Sequence, residues 1–400
     1  MSLTSRQLER YADVLLWALA HARSGKFAKG DIVMIRHEPA STRLAEILYE
    51  KLLARGINPV PRAVPTPAME RGFFSHAGPS QLTFLPPGEK ELYRRLNGSI
   101  FLHAPESLTH LAHVDPKKIG RTLVARKPLR AILERREETG DFGWTLCTSP
   151  TRELARQAHL SLAACTGQIV RACYLDSRDP VARWKSICRD ASEIKGWLNG
   201  MKAVRYHIES KNTDLIITPG VKRKWIGISG HNIPSFELFL SPDWRGTEGR
   251  YFANQPSYRT GNYVEGVRLI FKKGSAVSVE AEKGQAFAQK QLAIDRGANK
   301  VGEFSLTDRR FSRIDCFMAD TLFDENYGGR YGNCHIALGS SYSDTYDGNT
   351  ANLTKERKEA LGFNDSALHW DLVNTEEKTV TAHLASGKQA VIYQDGMFTC

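Results

Sequence analysis

The stretch Asp31-Ile-Val-Met-Ile-Arg36, followed by Ser41-Thr-Arg-Leu-Ala-Glu-Ile-Leu-Tyr-Glu-Lys-Leu-Leu-Ala-Arg-Gly56, decides the fold of the first half of the chain. Its first part is a short β-branched run and reads as a buried strand. Its second part opens on Ser41 and Thr42, repeats apolar residues at helical spacing and stops at Gly56, the marks of a capped helix. The same alternation extends on both sides. Residues 6–23 place Leu8, Tyr11, Ala12, Leu15 and Leu19 on one helical face. Gly98-Ser-Ile-Phe-Leu-His103, Gly120-Arg-Thr-Leu-Val124 and Gly143-Trp-Thr-Leu-Cys147 read as further strands, and 127–138, 151–164 and 180–200 as helices. Strand and helix in alternation imply an α/β N-terminal domain over residues 1–202, a mostly parallel sheet with helices on both faces. No GxGxxG or GxxxxGK[ST] follows any of these strands, so the half reads as a scaffold without a nucleotide fingerprint.

From residue 203 the pattern changes to short strands and turns. Val204-Arg-Tyr-His-Ile208, Thr213-Asp-Leu-Ile-Ile-Thr218, Trp225-Ile-Gly-Ile-Ser229 and Asn262-Tyr-Val-Glu-Gly-Val-Arg-Leu-Ile-Phe271 alternate as strands, with a helix near 284–297. An α+β domain over 203–400 is the expected division.

Composition narrows the class. The 400 residues are 41% hydrophobic and 25% charged, the balance of an ordinary globular protein. No signal peptide and no run of 18 apolar residues occurs, so a cytoplasmic chain without a membrane partner is expected. The seven cysteines are scattered and never spaced CxxC, which suits reduced packing residues better than disulfides or a thiolate metal site. The formal net charge of +11 is spread along the chain without a nucleic-acid motif, so no nucleic-acid partner is expected.

The chemistry-bearing residues gather in the C-terminal third. In Ala367-Leu-His-Trp-Asp-Leu-Val373, a strand would project His369 and Asp371 from one face and Leu368, Trp370 and Leu372 from the other. That pair suits a metal, though the stretch alone favours a hydrogen-bonded His–Asp pair on a wet sheet face. An acidic Asp324-Glu325-Asn326 leads through a Gly/Tyr-rich loop to His335. Glu265 alternates in phase with Val267, Leu269 and Phe271, and Glu303 follows a glycine in Val301-Gly-Glu-Phe-Ser-Leu306. A carboxylate facing a core needs a cation, a metal or several donors. Together these are hard oxygen and imidazole ligands without thiolate, the type that suits a hydrolytic metal pair.

At this point the sequence resembles the thermophilic-type bacterial metalloaminopeptidases, the aminopeptidase T family. The residues that carry it are Gly230-His-Asn-Ile-Pro-Ser-Phe-Glu-Leu-Phe239 with Ser241-Pro-Asp243, Val264-Glu-Gly-Val-Arg268 and Gly302-Glu303. They continue in Asp320-Thr-Leu-Phe-Asp-Glu-Asn326, His335-Ile-Ala-Leu-Gly339, Tyr342 and His369-Trp-Asp371. The resemblance implies that Glu265, Glu303, Glu325, His335, His369 and Asp371 hold two divalent ions (zinc, cobalt or manganese). It implies Glu303 or Glu325 as general base and Tyr342 as a donor to the oxyanion. Peptides with a free N-terminus are the expected substrates, and a homodimer is the expected assembly. The N-terminal domain is expected to cover the site or to form the dimer interface. An amide or ester hydrolase indifferent to a free α-amine is the alternative, and a binding protein with structural metals a third reading. Nine residues separate Glu325 from His335, a longer loop than the resemblance leads one to expect.

Overall fold

The computed structural model describes residues 2–400, and the chain divides into two compact units. The first comprises the residues up to Trp184 together with Ser229–Ser235; the second comprises Lys185–Ile228 and Phe236–Cys400.

The first unit is built on a five-stranded parallel sheet. Its order is Asn58–Ala63, Ile32–His37, Gly98–His103, Gly143–Thr148 and Asn232–Ile233. Val33 and Ile35 are fully buried, while Met34, on the other face, packs with Leu92, Tyr93 and Leu133 of flanking helices. The N-terminal helix Ser5–Ala22 starts on a capping box: the Gln7 amide donates to Thr4 Oγ1 at 3.3 Å, and the Thr4 amide to Gln7 Oε1 at 2.9 Å. Two expectations change here. Gly120–Val124 is not a strand but lies inside the helix Pro116–Glu138, whose start is fixed by Asp115 as cap and Pro116 in the first turn. Cap and proline outweigh the β-branched Thr122 and Val124. The expected helix 151–164 is two helices, Arg152–Gln157 and Leu162–Ala172, separated by His159 at φ 56° and restarted by Ser161 as cap.

The second unit holds two large antiparallel sheets and a two-stranded hairpin, Ser257–Arg259 with Asn262–Val264. The larger has eight strands, in the order Ser275–Glu280, Val267–Lys272, Asp243–Ala253, Asp214–Thr218, Ala203–Ser210, Lys378–Leu384, Gln389–Gln394 and Met397–Phe398. The smaller runs His369–Asn374, Asn333–Gly339, Val301–Thr307 and Glu237–Leu240. Between them, Phe304 meets Trp225 and Tyr206 at ring distances of 5.5 and 5.9 Å, and the Tyr251 hydroxyl reaches the Leu372 carbonyl at 2.7 Å. The helix Pro180–Gly200 enters this unit from Lys185 onward. Lys195 Nζ donates to the Gly227 carbonyl at 3.0 Å, and the Trp225 amide donates to Asn199 Oδ1 at 2.7 Å. The division therefore falls before 202, and the return of Ser229–Ser235 to the first unit completes its sheet. The expected strand at 225–229 is reduced to a single bridge between Ile226 and Phe239, because Gly227 and Ile228 both take positive φ.

Lys378, at the head of its strand, is 3% exposed. Burial pulls its ammonium down to about 8, against the opposing attraction of Cys334 and Glu376. A folded pKa below the unfolded one means that the folded state carries a penalty at low pH, relieved as pH rises from about 8 through the ordinary lysine range. Lys378→Met is therefore expected to stabilise the protein at pH 7 by on the order of 2 kcal/mol. The gain over wild type should shrink as denaturant melts are repeated up to pH 10.5. A gain independent of pH would assign it to packing instead.

Candidate metal centre

Alternation along the four-stranded sheet builds the site. Pairing sets Glu303 opposite Ala337 and Ala337 opposite Asp371; the next row sets Phe239, Ser305, His335 and Val373 side by side. Glu237 stands opposite Thr307, and His369 opposite Gly339. With a side-chain period of two, Glu237, Glu303, His335, His369 and Asp371 all project from one face. The opposite face carries Leu238, Phe304, Leu306, Ile336, Leu338, Trp370 and Leu372, all buried. The strands Val301–Thr307 and Asn333–Gly339 are buried throughout, so carboxylates and imidazoles are held on a rigid, dry platform.

Glu303 is the centre of the geometry. Its Oε1 lies 3.1 Å from His335 Nε2, which is also 3.3 Å from Glu237 Oε2. Its Oε2 lies 3.7 Å from His369 Nε2, which is 3.2 Å from Asp371 Oδ1. Ligand atoms of Glu237, Glu303 and His335 fall within 4.8 Å of one another. Ser305 Oγ donates to Glu237 Oε2 at 3.2 Å. His369 Nδ1 lies 3.1 Å from the Ser340 carbonyl; only an N–H can serve a carbonyl, so Nε2 is left as the nitrogen facing the carboxylates.

The electrostatics describe a site short of positive charge. Burial and the Glu303 charge push Glu237 up to about 8. Glu325 is pushed well up by burial and by Glu237, Asp371 and Glu303. Burial opposes charge on His335, yet its bond to Glu303 and the surrounding carboxylates prevail and raise it to about 9. His369 is raised to about 9 by Asp371 against the same burial. Buried like charges without a compensating cation are expensive, and divalent ions are the complement that this donor set fits. His335 Nδ1 is buried without a hydrogen-bond partner, so its ring is held by the side of Nε2 alone. Cys334 belongs to the other face, and burial lifts its thiol to about 12, which removes thiolate from the ligand set.

Glu325 reaches the cluster despite its distance in sequence from His335. It caps the short helix Thr321–Asp324, which Asp320 starts and Asp324 braces by accepting from the Met318 and Asp320 amides at 2.7 and 3.0 Å. The long loop closes on itself: Asn333 Nδ2 donates to the carbonyls of Glu325 and Tyr327 at 2.9 and 2.8 Å. Tyr342, 37% exposed, packs its ring on His369 at 4.9 Å and brings its hydroxyl 3.5 Å from His369 Nε2.

Glu265 is placed elsewhere. Its carboxylate is 2.8 Å from Lys283 Nζ and accepts from the Tyr263 hydroxyl at 3.0 Å. The phase argument assumed one strand through 262–271, but Gly266 at φ 66° ends the strand Asn262–Val264 before Val267–Lys272 begins. The cation it called for is Lys283, from a different element. Glu265→Gln is expected to leave bound metal unchanged and to cost at most about 1 kcal/mol, as exposed ion pairs do. Metal analysis beside a thermal melt checks this; loss of a metal equivalent would return Glu265 to the ligand set. Glu237 takes the place that Glu265 was expected to fill. The signal for it was there, one carboxylate in the otherwise apolar Phe236-Glu-Leu-Phe-Leu240, within a stretch already carrying the resemblance.

Gly302 makes the centre possible. It lies at a bulge between Val301 and Glu303, and a Cβ there would sit 2.4 Å from the carbonyl oxygens of both Gly339 and Ser340.

Comparison with known proteins agrees with this geometry. Over residues 4–398 the sequence matches the family described as thermophilic metalloprotease (M29). Aminopeptidase T of Thermus thermophilus is 29% identical over 306 residues, covering 72% of this chain and 72% of the relative. Aminopeptidase AmpS of Bacillus subtilis is 27% identical over 266 residues, covering 64% of this chain and 62% of the relative. The solved structure of wild-type AmpT from Thermus thermophilus shares the fold with a TM-score of 0.81 at 23% identity, over 99% of each chain. With a dry platform of oxygen and imidazole donors and a match along nearly its whole length, the chain belongs to the thermophilic metalloprotease family.

Proposed function

We propose that this metalloprotease is an aminopeptidase that removes N-terminal residues from peptides at a centre for two divalent ions. The observation that carries the reading is the position of Glu303, whose two oxygens face different imidazoles. Glu237 and His335 with one Glu303 oxygen would hold one ion; His369 and Asp371 with the other oxygen would hold the second. Glu325 supplies a further carboxylate at the cluster. When bound, the ions supply Lewis acidity that brings the pKa of water towards neutral and polarises the scissile carbonyl. Nitrogen and oxygen donors admit zinc, cobalt or manganese.

The protein's own groups do the rest. Burial and acidic neighbours raise the basicity of Glu325, so that, ionised beside bound cations, its carboxylate would take a proton from the attacking water and return it to the leaving amine. The Tyr342 hydroxyl donates to the developing oxyanion, a contact worth roughly 3 kcal/mol in comparable sites. The substrate's free α-amine would bind at this centre through its nitrogen lone pair, which a blocked terminus does not offer. We further propose cytoplasmic peptides as substrates and a homodimer as the assembly; among the described residues no helix is long and apolar enough to cross a membrane.

The test compares release from amino-acid p-nitroanilides with release from their N-acetylated forms, after chelation and refilling with Zn²⁺, Co²⁺ or Mn²⁺. Activity that returns with metal and requires the free amine is expected. Equal cleavage of both forms would favour the amide or ester hydrolase, and activity indifferent to chelation would end the metal reading. Light scattering of the purified protein tests the dimer.

A further inference from the structure

A cation stands beside the acidic centre that the reaction above does not use. Arg259 ends the first strand of a small hairpin, Ser257–Arg259 paired with Asn262–Val264. The hairpin is fastened on both sides of Asp371. The Gln255 amide donates to the Val373 carbonyl at 3.3 Å, and Trp370 Nε1 donates to Ser257 Oγ at 3.1 Å. This sets the hairpin beyond the open edge of the four-stranded sheet, where the His369–Asn374 strand is outermost.

Arg259 is partly buried, and its Nε donates to Gln291 Oε1 at 3.3 Å. That single bond fixes the plane of the guanidinium from behind. Among the described residues its two terminal nitrogens have no hydrogen-bond or ion-pair partner, and neither nitrogen is sealed from solvent. Burial pulls its pKa down while the Asp371 charge holds it up, and the same attraction runs back from Arg259 to Asp371. Asp371 itself is spent on His369, at 3.2 Å. A half-buried guanidinium with an idle fork is costly unless something anionic completes it, and a planar carboxylate is the group that fits such a fork in two parallel bonds.

We propose that Arg259 binds the free α-carboxylate of short peptide substrates, so that the enzyme prefers dipeptides and tripeptides to longer or C-terminally blocked chains. The assignment rests on the aminopeptidase reading. A peptide bound with its amine end at the centre carries its free α-carboxylate at the other end. Arg259 lies close enough to Asp371 for their charges to act on each other, so with each residue spanning about 3.3–3.6 Å the carboxylate it would hold is that of a short peptide. Arg259 is a specificity-determining residue in this account.

The experiment uses the metal-loaded full chain and three probes: a leucyl dipeptide as the free acid, the same dipeptide as its C-terminal amide, and leucine p-nitroanilide. The readout is the ratio of kcat/KM between acid and amide, for wild type, Arg259→Met and Arg259→Lys. Hydrogen bonds to a charged group correspond to about a 10-fold to 100-fold preference for the acid in wild type. In Arg259→Met the ratio should fall to near one, chiefly through KM on the acid, and Arg259→Lys should recover part of it. Thermal melts confirm that each variant is folded. A wild-type ratio near one, or a ratio that Arg259→Met leaves unchanged even if overall rates drop, overturns the assignment. Should wild type cleave the free-acid dipeptide but neither its amide nor the p-nitroanilide, the carboxylate is essential and the proposal stands strengthened. Cleavage of none of the three ends the aminopeptidase reading and this assignment with it.

Discussion

Glu303→Gln is expected to abolish aminopeptidase activity, lowering kcat/KM by at least about 10³-fold, while leaving the metal-free protein as stable as wild type or more so. The substitution keeps shape and volume, so the packing of the Val301–Thr307 strand is untouched. It removes the negative charge that sits between His335 and His369 and that pushes on Glu237. Without metal, relief of like-charge crowding offsets the lost attraction to the imidazoles. With metal the loss should be large, because in the proposed centre both halves share this one carboxylate; loss even of groups that only orient ligands costs metalloenzymes 10-fold to 100-fold. Binding of an ion at 100 times its dissociation constant stabilises wild type by about 2.7 kcal/mol, and that increment should vanish in the variant. Melts with and without Zn²⁺ or Co²⁺ beside p-nitroanilide assays make the check. A variant retaining metal-dependent activity within 10-fold of wild type would remove Glu303 from the centre.

The second large effect is expected at Gly302. Gly302→Val would bring its Cβ to within 2.4 Å of the Gly339 and Ser340 carbonyls, backbone atoms that cannot rotate away. The Val301–Thr307 and Asn333–Gly339 strands must then part at the bulge beside Glu303. The Ser340 carbonyl that orients His369 must shift too. Overpacking in a tight core typically costs about 1–3 kcal/mol and more where backbone is displaced. At roughly 2–4 °C per kcal/mol for a unit of this size, the melt should fall by about 5–10 °C. Activity should fall more than stability, since ligands must be held to within about 0.5 Å. Assays well below the new melting point separate the two effects. A folded variant with unchanged kcat would show that the bulge serves the sheet alone.

Much of this molecule could be read from its sequence, for reasons that also explain the exceptions. The strand and helix around Asp31–Gly56 carried local signals strong enough to place them, and the observed elements Ile32–His37 and Thr42–Ala54 match the expected ones to within two residues at each end. The fifth strand of that sheet, Asn232–Ile233, is two residues long and owes its existence to Gly143–Thr148, a neighbour far away in sequence. No local pattern announces such a strand. At the centre, the period of two set His369 and Asp371 on one face because their strand is unbroken. The same rule failed at Glu265 because one left-handed glycine interrupted the phase. It passed over Glu237 because four residues of strand are too few to show a period, and only pairing with Val301–Thr307 reveals which way that side chain turns.

The order of the four-stranded sheet also has a consequence for how the enzyme comes into being. Its donor residues arrive on the ribosome as Glu237, Glu303, His335, then His369 and Asp371, and the strand bearing the last two pairs with Asn333–Gly339. Until that final strand docks, the nascent chain displays a set of acidic groups with half an ion site and an open sheet edge. Such long-range antiparallel pairing is slow, and an exposed edge invites wrong partners. Before that docking the cluster of Glu237, Glu303 and His335 is already assembled, while His369 and Asp371 wait on the last strand.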